Sequence, residues 1–189
     1  MKFTIENYIK QHNIVIDSID AQEVSAAINL IRKTIKNGNR VAVCGNGGSA
    51  VAASHYILDW NKMVFAYTNI KFNGICLSDN VGLITAYSND LSYTDVFSEQ
   101  VKNLLKNGDL LITLSGSGNS ENVVKATIAA KKMNVNTLTI CGYDGGKLKQ
   151  LSDHSVWIRS FDMQLCEDAQ IVFGHMVTKD LCNCSISNN

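Results

Sequence analysis

His55 and Asp59 are four residues apart in a segment with helical periodicity, so their side chains share one face. That pairing suits a general base or half of a metal site. A second titratable group, Glu167, Asp168 and His175, falls in the last helical segment. Asp168 and His175 are two turns apart. Glu167 and His175 differ by roughly 80° around the axis and roughly 12 Å along it, so these two reach a common ligand only from opposite ends. Glycine and serine offer different chemistry. CGNGGS at 44–49 and SGSGNS at 115–120 each run from an apolar β-rich stretch into a helical one. There, free backbone N–H groups and the helix dipole favour an anion. Gly47, Gly48 and Gly116 let the backbone come close to a ligand, and Ser115, Ser117 and Ser120 offer three hydroxyls suited to a phosphate monoester. Neither loop has the Lys-Ser/Thr ending of an ATP-binding loop or the spacing of a dinucleotide fingerprint, so no nucleotide cofactor is expected. Taken singly, each loop also fits a polar turn, and each histidine a hydrogen-bonded packing residue. Two such loops in one small sheet favour a ligand site. His12 and His154 are read as structural.

The elements that must position these residues alternate along the chain. Apolar β-rich runs at 40–44, 74–77, 110–114, 137–141 and 156–159 are expected as strands. Helical patterns at 49–60, 93–105, 120–133 and 163–181 separate or follow them. This βαβ order implies a doubly wound, five-stranded parallel sheet, with both loops at the carboxyl ends of strands, where such sheets bind ligands. Two helices precede the first strand. Asp20 and Glu23 make a capping-box-like start to the second, whose apolar residues recur at helical spacing until Gly38. Their apolar faces need a partner. The whole of 1–189 is read as a single α/β domain.

The bulk composition narrows the class. Seventeen basic residues balance seventeen acidic ones, and no Lys/Arg block supplies the field that nucleic acid requires. No segment approaches the roughly 20 apolar residues of a membrane span, and no export signal is visible, so a cytoplasmic protein is expected. Three of the six cysteines lie in apolar runs, and all six are read as reduced. Cys182 and Cys184 are read as incidental to a C-terminal tail.

In order along the chain, CGNGGSA at 44–50, SHYILD at 54–59, SDNVGLITAYSND at 78–90, LSGSGNSENV at 114–123, GYDGGKL at 142–148 and EDAQIVFGH at 167–175 resemble the sugar isomerase (SIS) domain. Within it they resemble the isomerases that interconvert sedoheptulose 7-phosphate and D-glycero-D-manno-heptose 7-phosphate. The resemblance covers nearly the whole chain. It implies a flavodoxin-like sheet and a homotetramer with active sites between subunits, the leading helices of 1–38 joining a central bundle. By motif position it assigns Ser49, Ser115, Ser117 and Ser120 to phosphate, with Asn46 and Asp79 lining the sugar site. Some members bind zinc with the equivalents of His55, Asp59, Glu167 and His175. Two positions depart from the pattern: Asp59 stands where the family has glutamate, and Glu167 where it has glutamine.

The implied reaction moves a proton between C1 and C2 through an enediol, which requires a base and an acid at the carbonyl oxygen. Asp59 is expected as the base and His175 as the acid or proton shuttle. The product would serve heptose-containing glycans such as lipopolysaccharide or capsule. The rival readings are a non-enzymatic SIS protein, either a sugar-phosphate sensor or the replication-initiator-binding branch, and an isomerase of another phosphorylated sugar. Retention of both histidines and two carboxylates favours the enzyme.

Overall fold

The computed structural model describes residues 3–183. The leading helices are α1 (Ile5–Asp17) and α2 (Ala21–Lys36), followed by β1 (Val41–Cys44) and α3 (Gly48–Asp59). One π-helical turn, Trp60–Val64, leads into the short α4 (Phe65–Thr68), then β2 (Gly74–Cys76) and α5 (Val81–Asp90). A 3₁₀ turn, Tyr93–Asp95, runs into α6 (Val96–Leu104) and β3 (Leu110–Ser115). The chain continues through α7 (Glu121–Lys132), β4 (Asn136–Cys141), α8 (Gly146–Leu151), β5 (His154–Trp157) and α9 (Met163–Leu181).

The five strands pair in the order β2-β1-β3-β4-β5, every pair parallel. This is the doubly wound arrangement expected from the βαβ order. β1 and β3 are fully buried, which explains their continuous apolar runs: helices cover both faces. One face packs Ile31, Tyr56, Trp60 and Phe173 from α2, α3, the π turn and α9 against Val41, Ile112 and Ile140. The other packs Phe97, Val101, Val123 and Ala130 from α6 and α7 against Ala42 and Leu111. β1 and β3 are neighbours although β2 lies between them in sequence, so their carboxyl ends form the switch point of the sheet. Both glycine–serine loops leave from there.

Several boundaries differ from the sequence reading. β5 begins two residues earlier than expected because Asp153 fastens its start to β4, accepting from Thr137 N at 3.0 Å and Thr137 Oγ1 at 2.8 Å. Asp20 does cap α2, accepting from Gln22 N at 2.7 Å. Glu23 does not complete a capping box; it turns outward and accepts the Trp157 backbone N–H of β5 at 2.8 Å. Gly38, with φ +71°, ends α2 as expected. The expected helix at 93–105 divides into the 3₁₀ turn and α6. Helices α5 and α8 and the π turn had no counterpart in the sequence reading.

Cys44, Cys76, Cys141 and Cys166 are free thiols, and burial pushes Cys76 and Cys141 up to about 12, consistent with thiols packed as small apolar groups. Cys184 lies outside the described residues. Among the described residues, no helix is long and apolar enough to cross a membrane. On α1, Ile5, Ile9 and Ile14 are exposed, together with Phe3 just before it.

Candidate active site

The first loop is held open by its own backbone. At Gly45 a Cβ would press on the Ser49 side chain at 2.8 Å, and Gly47 takes φ +54° as the residue before α3. Ser78, beyond β2, fastens the turn: its Oγ donates to Gly45 O at 2.9 Å and accepts from Gly45 N at 3.3 Å. Asn46 forms a reciprocal amide pair with Asn122 of α7, at 2.8 and 2.9 Å, and its Oδ1 also accepts the Tyr93 hydroxyl at 2.8 Å. The two loops are therefore tied side by side. The buried Ser49 hydroxyl sits 2.9 Å from the Gln170 side chain on α9.

The second loop folds around Ser115. Ser115 Oγ accepts from Gly118 N at 3.1 Å and lies 3.3 Å from Ser120 Oγ; Ser117 Oγ accepts from Asn119 N at 3.2 Å. Gly118 has φ +66°, and a Cβ there would collide with the Gly145 carbonyl. This is why the 142–148 turn follows so closely: Leu148 N donates to Gly118 O at 3.0 Å, and Lys147 N to Asn119 Oδ1 at 3.1 Å. Ser120 occupies the N-cap position of α7, yet its side chain makes no capping bond, and Gly47 has no side chain to cap α3. Neither N-cap residue caps its helix, although Asn122 Oδ1 accepts from Val123 N at 3.0 Å in the first turn of α7 and the Glu167 carboxylate lies over Gly48 at the start of α3; helix starts at a switch point favour an anion.

Along α3, His55 is six residues and roughly 9 Å beyond Ser49. Its Nε2 lies 2.9 Å from His175 Nε2 and 3.6 Å from Asp59 Oδ2, and the rings meet edge to face. One donor atom from each of the three residues falls within 4.8 Å of the others. A shallow open cleft of about 450 Å³ lies along the same helix, lined by Ala50, Val51, Ser54, His55, Leu58, Ser78 and Asp79. It brings Asp79 beside His55.

The four residues expected to surround a metal are not all together. Glu167 is absent from the histidine–aspartate cluster because it is eight residues before His175 on a straight helix. Its carboxylate lies instead over Gly48, where a Cβ would overlap it, at the N-terminus of α3. A carboxylate is favoured at that end by the helix dipole. Asp168 points away from the cluster and accepts the Tyr8 hydroxyl at 2.6 Å; that bond, with burial, pushes the phenol up to about 12.

Packing fixes the α3–α9 spacing. Gly174 admits the Tyr56 ring, which a Cβ would strike, and Trp60 Nε1 donates to Gly174 O at 3.3 Å. Asp59 closes α3 immediately before the π turn, a local widening often found beside functional residues. Asn122, Tyr93, Ser78 and Gln170 had no role in the sequence reading. Ser78, Asn122 and Gln170 did lie inside the quoted motifs, which was the available signal.

The SIS domain family model matches residues 7–142. The chain is 32% identical over 181 residues to a phosphoheptose isomerase of Aliarcobacter butzleri, covering 95% of each chain. It is 36% identical over 158 residues to one from Helicobacter pylori, covering 84% of this chain and 80% of that one. The solved phosphoheptose isomerase of Neisseria gonorrhoeae superposes with a TM-score of 0.86 at 25% identity, over 94% of this chain and 96% of that one. With the family model matching most of the chain and the Aliarcobacter butzleri and Neisseria gonorrhoeae relatives covering nearly all of it, the chain belongs to the SIS-domain family, among its phosphoheptose isomerases.

Proposed function

We propose that the protein interconverts sedoheptulose 7-phosphate and D-glycero-D-manno-heptose 7-phosphate, with the phosphate at the two glycine–serine loops and the reacting carbons at His55, Asp59 and His175. The observation that carries this reading is the placement of that cluster on the helix that begins at the first loop. Ser49, Ser115, Ser117 and Ser120, with the backbone of Gly47, Gly48 and Gly116, would hold the phosphate. Asn46, Asp79 and Glu167 would face the sugar hydroxyls.

In the ketose-to-aldose direction Asp59 removes a proton from C1. Its Oδ2 faces His55, which leaves Oδ1 for the substrate. His175 protonates O2 as the C1=C2 enediol forms. The Asp59 carboxyl then returns its proton to C2 while the now neutral His175 takes the O1 proton, closing the C1 carbonyl and restoring the charged histidine. The 2.9 Å contact lets His55 hold the neighbouring His175 ring in place for both transfers. The nitrogen and oxygen donors of His55, Asp59 and His175 fit zinc, which when bound would polarise the carbonyl oxygen.

The exposed apolar residues of α1 support assembly through the leading helices, which we take to be a homotetramer. A phosphorylated-sugar substrate fits a cytoplasmic enzyme feeding lipopolysaccharide or capsule heptose. The test is to incubate purified protein with sedoheptulose 7-phosphate, with and without chelator, and to follow aldose formation. Product is expected, and its loss on chelation would put zinc in the mechanism. Sugar-phosphate binding with no product under either condition would overturn the enzymatic reading in favour of a sensor.

A further inference from the structure

Gln170 is fully buried on α9, and its side chain meets the first loop at one atom, Ser49 Oγ, 2.9 Å away. With the amide oxygen toward Ser49, the serine hydrogen is donated to Gln170. Gln170 Nε2 is then buried with no hydrogen-bond partner. A buried amide nitrogen without an acceptor is costly. A serine whose hydrogen is committed to a glutamine also cannot donate it to a phosphate. Turning the amide over makes Nε2 donate to Ser49 Oγ and releases the serine hydrogen toward the loop, at the cost of leaving Oε1 instead of Nε2 as the unpaired atom. The backbone that carries the amide is held in place. The Gln170 backbone carbonyl accepts the hydroxyl of the buried Tyr56, and Tyr56 is wedged against Gly174 one turn on.

We propose that Gln170 is a positioning residue for the phosphate site: when phosphate arrives its amide presents nitrogen to Ser49 Oγ, so that Ser49 donates its hydrogen to the phosphate oxygen. Gln170 itself does not touch the substrate. This inference rests on the reading of Ser49 as a phosphate ligand.

The experiment is a double-mutant cycle on Ser49→Ala and Gln170→Met, reading kcat and KM for sedoheptulose 7-phosphate and the inhibition constant of inorganic phosphate. Each single change is expected to raise KM and the phosphate inhibition constant about tenfold, with a much smaller effect on kcat, and the double variant to be no worse than Ser49→Ala. Gln170→Glu is close in shape and, when ionised, can only accept, so it keeps the serine hydrogen. It covers the case in which the methionine does not fold: the part of its loss that disappears in the Ser49→Ala background is the part acting through the hydroxyl. If Ser49→Ala weakens phosphate while the Gln170 changes do not, or if the effects multiply, the positioning role is overturned alone. If Ser49→Ala leaves phosphate inhibition unchanged, the phosphate reading of the loop falls and the role of Gln170 with it.

Discussion

The loop at 115–120 and the cluster of His55, Asp59 and His175 are built in opposite ways. The loop is backbone held by backbone: a left-handed glycine against a carbonyl, serine hydroxyls taking their neighbours' N–H groups, and a second turn locked on top. The cluster consists of side chains on two helices, and His175 is exposed. On the proposed function the loop meets its phosphate as a preformed mould. The cluster has its geometry set only by helix spacing, and it leaves a face open for substrate or for a neighbouring copy. On the proposed function, phosphate recognition would therefore rest on a rigid element and proton transfer on side chains with an open face.

The sharpest way to separate the two regions is Asp59→Asn. Turnover should fall roughly 10²–10⁴-fold while inorganic phosphate still protects the protein against thermal unfolding. Loss of phosphate protection in this variant would mean that the regions are not independent. Next in size is Gly118→Ala. The left-handed backbone and the collision with Gly145 O should together cost roughly 2–4 kcal/mol in urea unfolding and weaken phosphate binding. Gly47→Ala, at φ +54° and ψ −126° but with nothing within 4 Å of the added Cβ, should cost roughly 1–3 kcal/mol from backbone strain alone and less than Gly118→Ala. Equal costs would mean that the close-packed second turn is not what makes the loop rigid.

The smallest effect is expected outside both regions, at Asp153. Burial alone would raise its carboxyl, but bonds from Lys131 and Thr137 outweigh it and hold the group below its usual range. A depressed carboxyl contributes stability that is present above the unfolded value of about 3.9 and is lost as pH falls through the folded value. Asp153→Asn should therefore lower stability by less than about 1 kcal/mol near neutrality, since the ion pair is largely solvated. The gap to the unmodified protein should close below about pH 4 in thermal melts.

The strands and long helices were legible because burial on both faces forces continuous apolar runs, and one-sided burial forces a helical period. α5 was not. It buries none of its residues, so it has no apolar stripe, and its one sequence signal was Asn80, whose Oδ1 accepts from Leu83 N at 3.0 Å. α8 is six residues long and follows two left-handed glycines, which read as a turn. At the site, both loops and the His55–Asp59 pair were legible from type and spacing, whereas the meeting of His175 with that pair was implied by the family resemblance. The separation of Glu167 from the cluster was not, because one-dimensional spacing gives the distance along α9 but not what stands opposite each end. The amide partners Asn122 and Gln170 were hidden for a related reason: hydrogen bonds between distant helices leave no periodic mark.

The bond from the Trp157 backbone N–H to Glu23 bears on how the sheet behaves beside other chains. Carrying α2 alongside β5 and spending an acidic side chain on that strand's outward donor closes the β5 border to strand addition. The opposite border is β2, three residues long. A sheet this apolar in its middle strands therefore offers little template at either margin for another chain to extend, and assembly is left to helix faces instead.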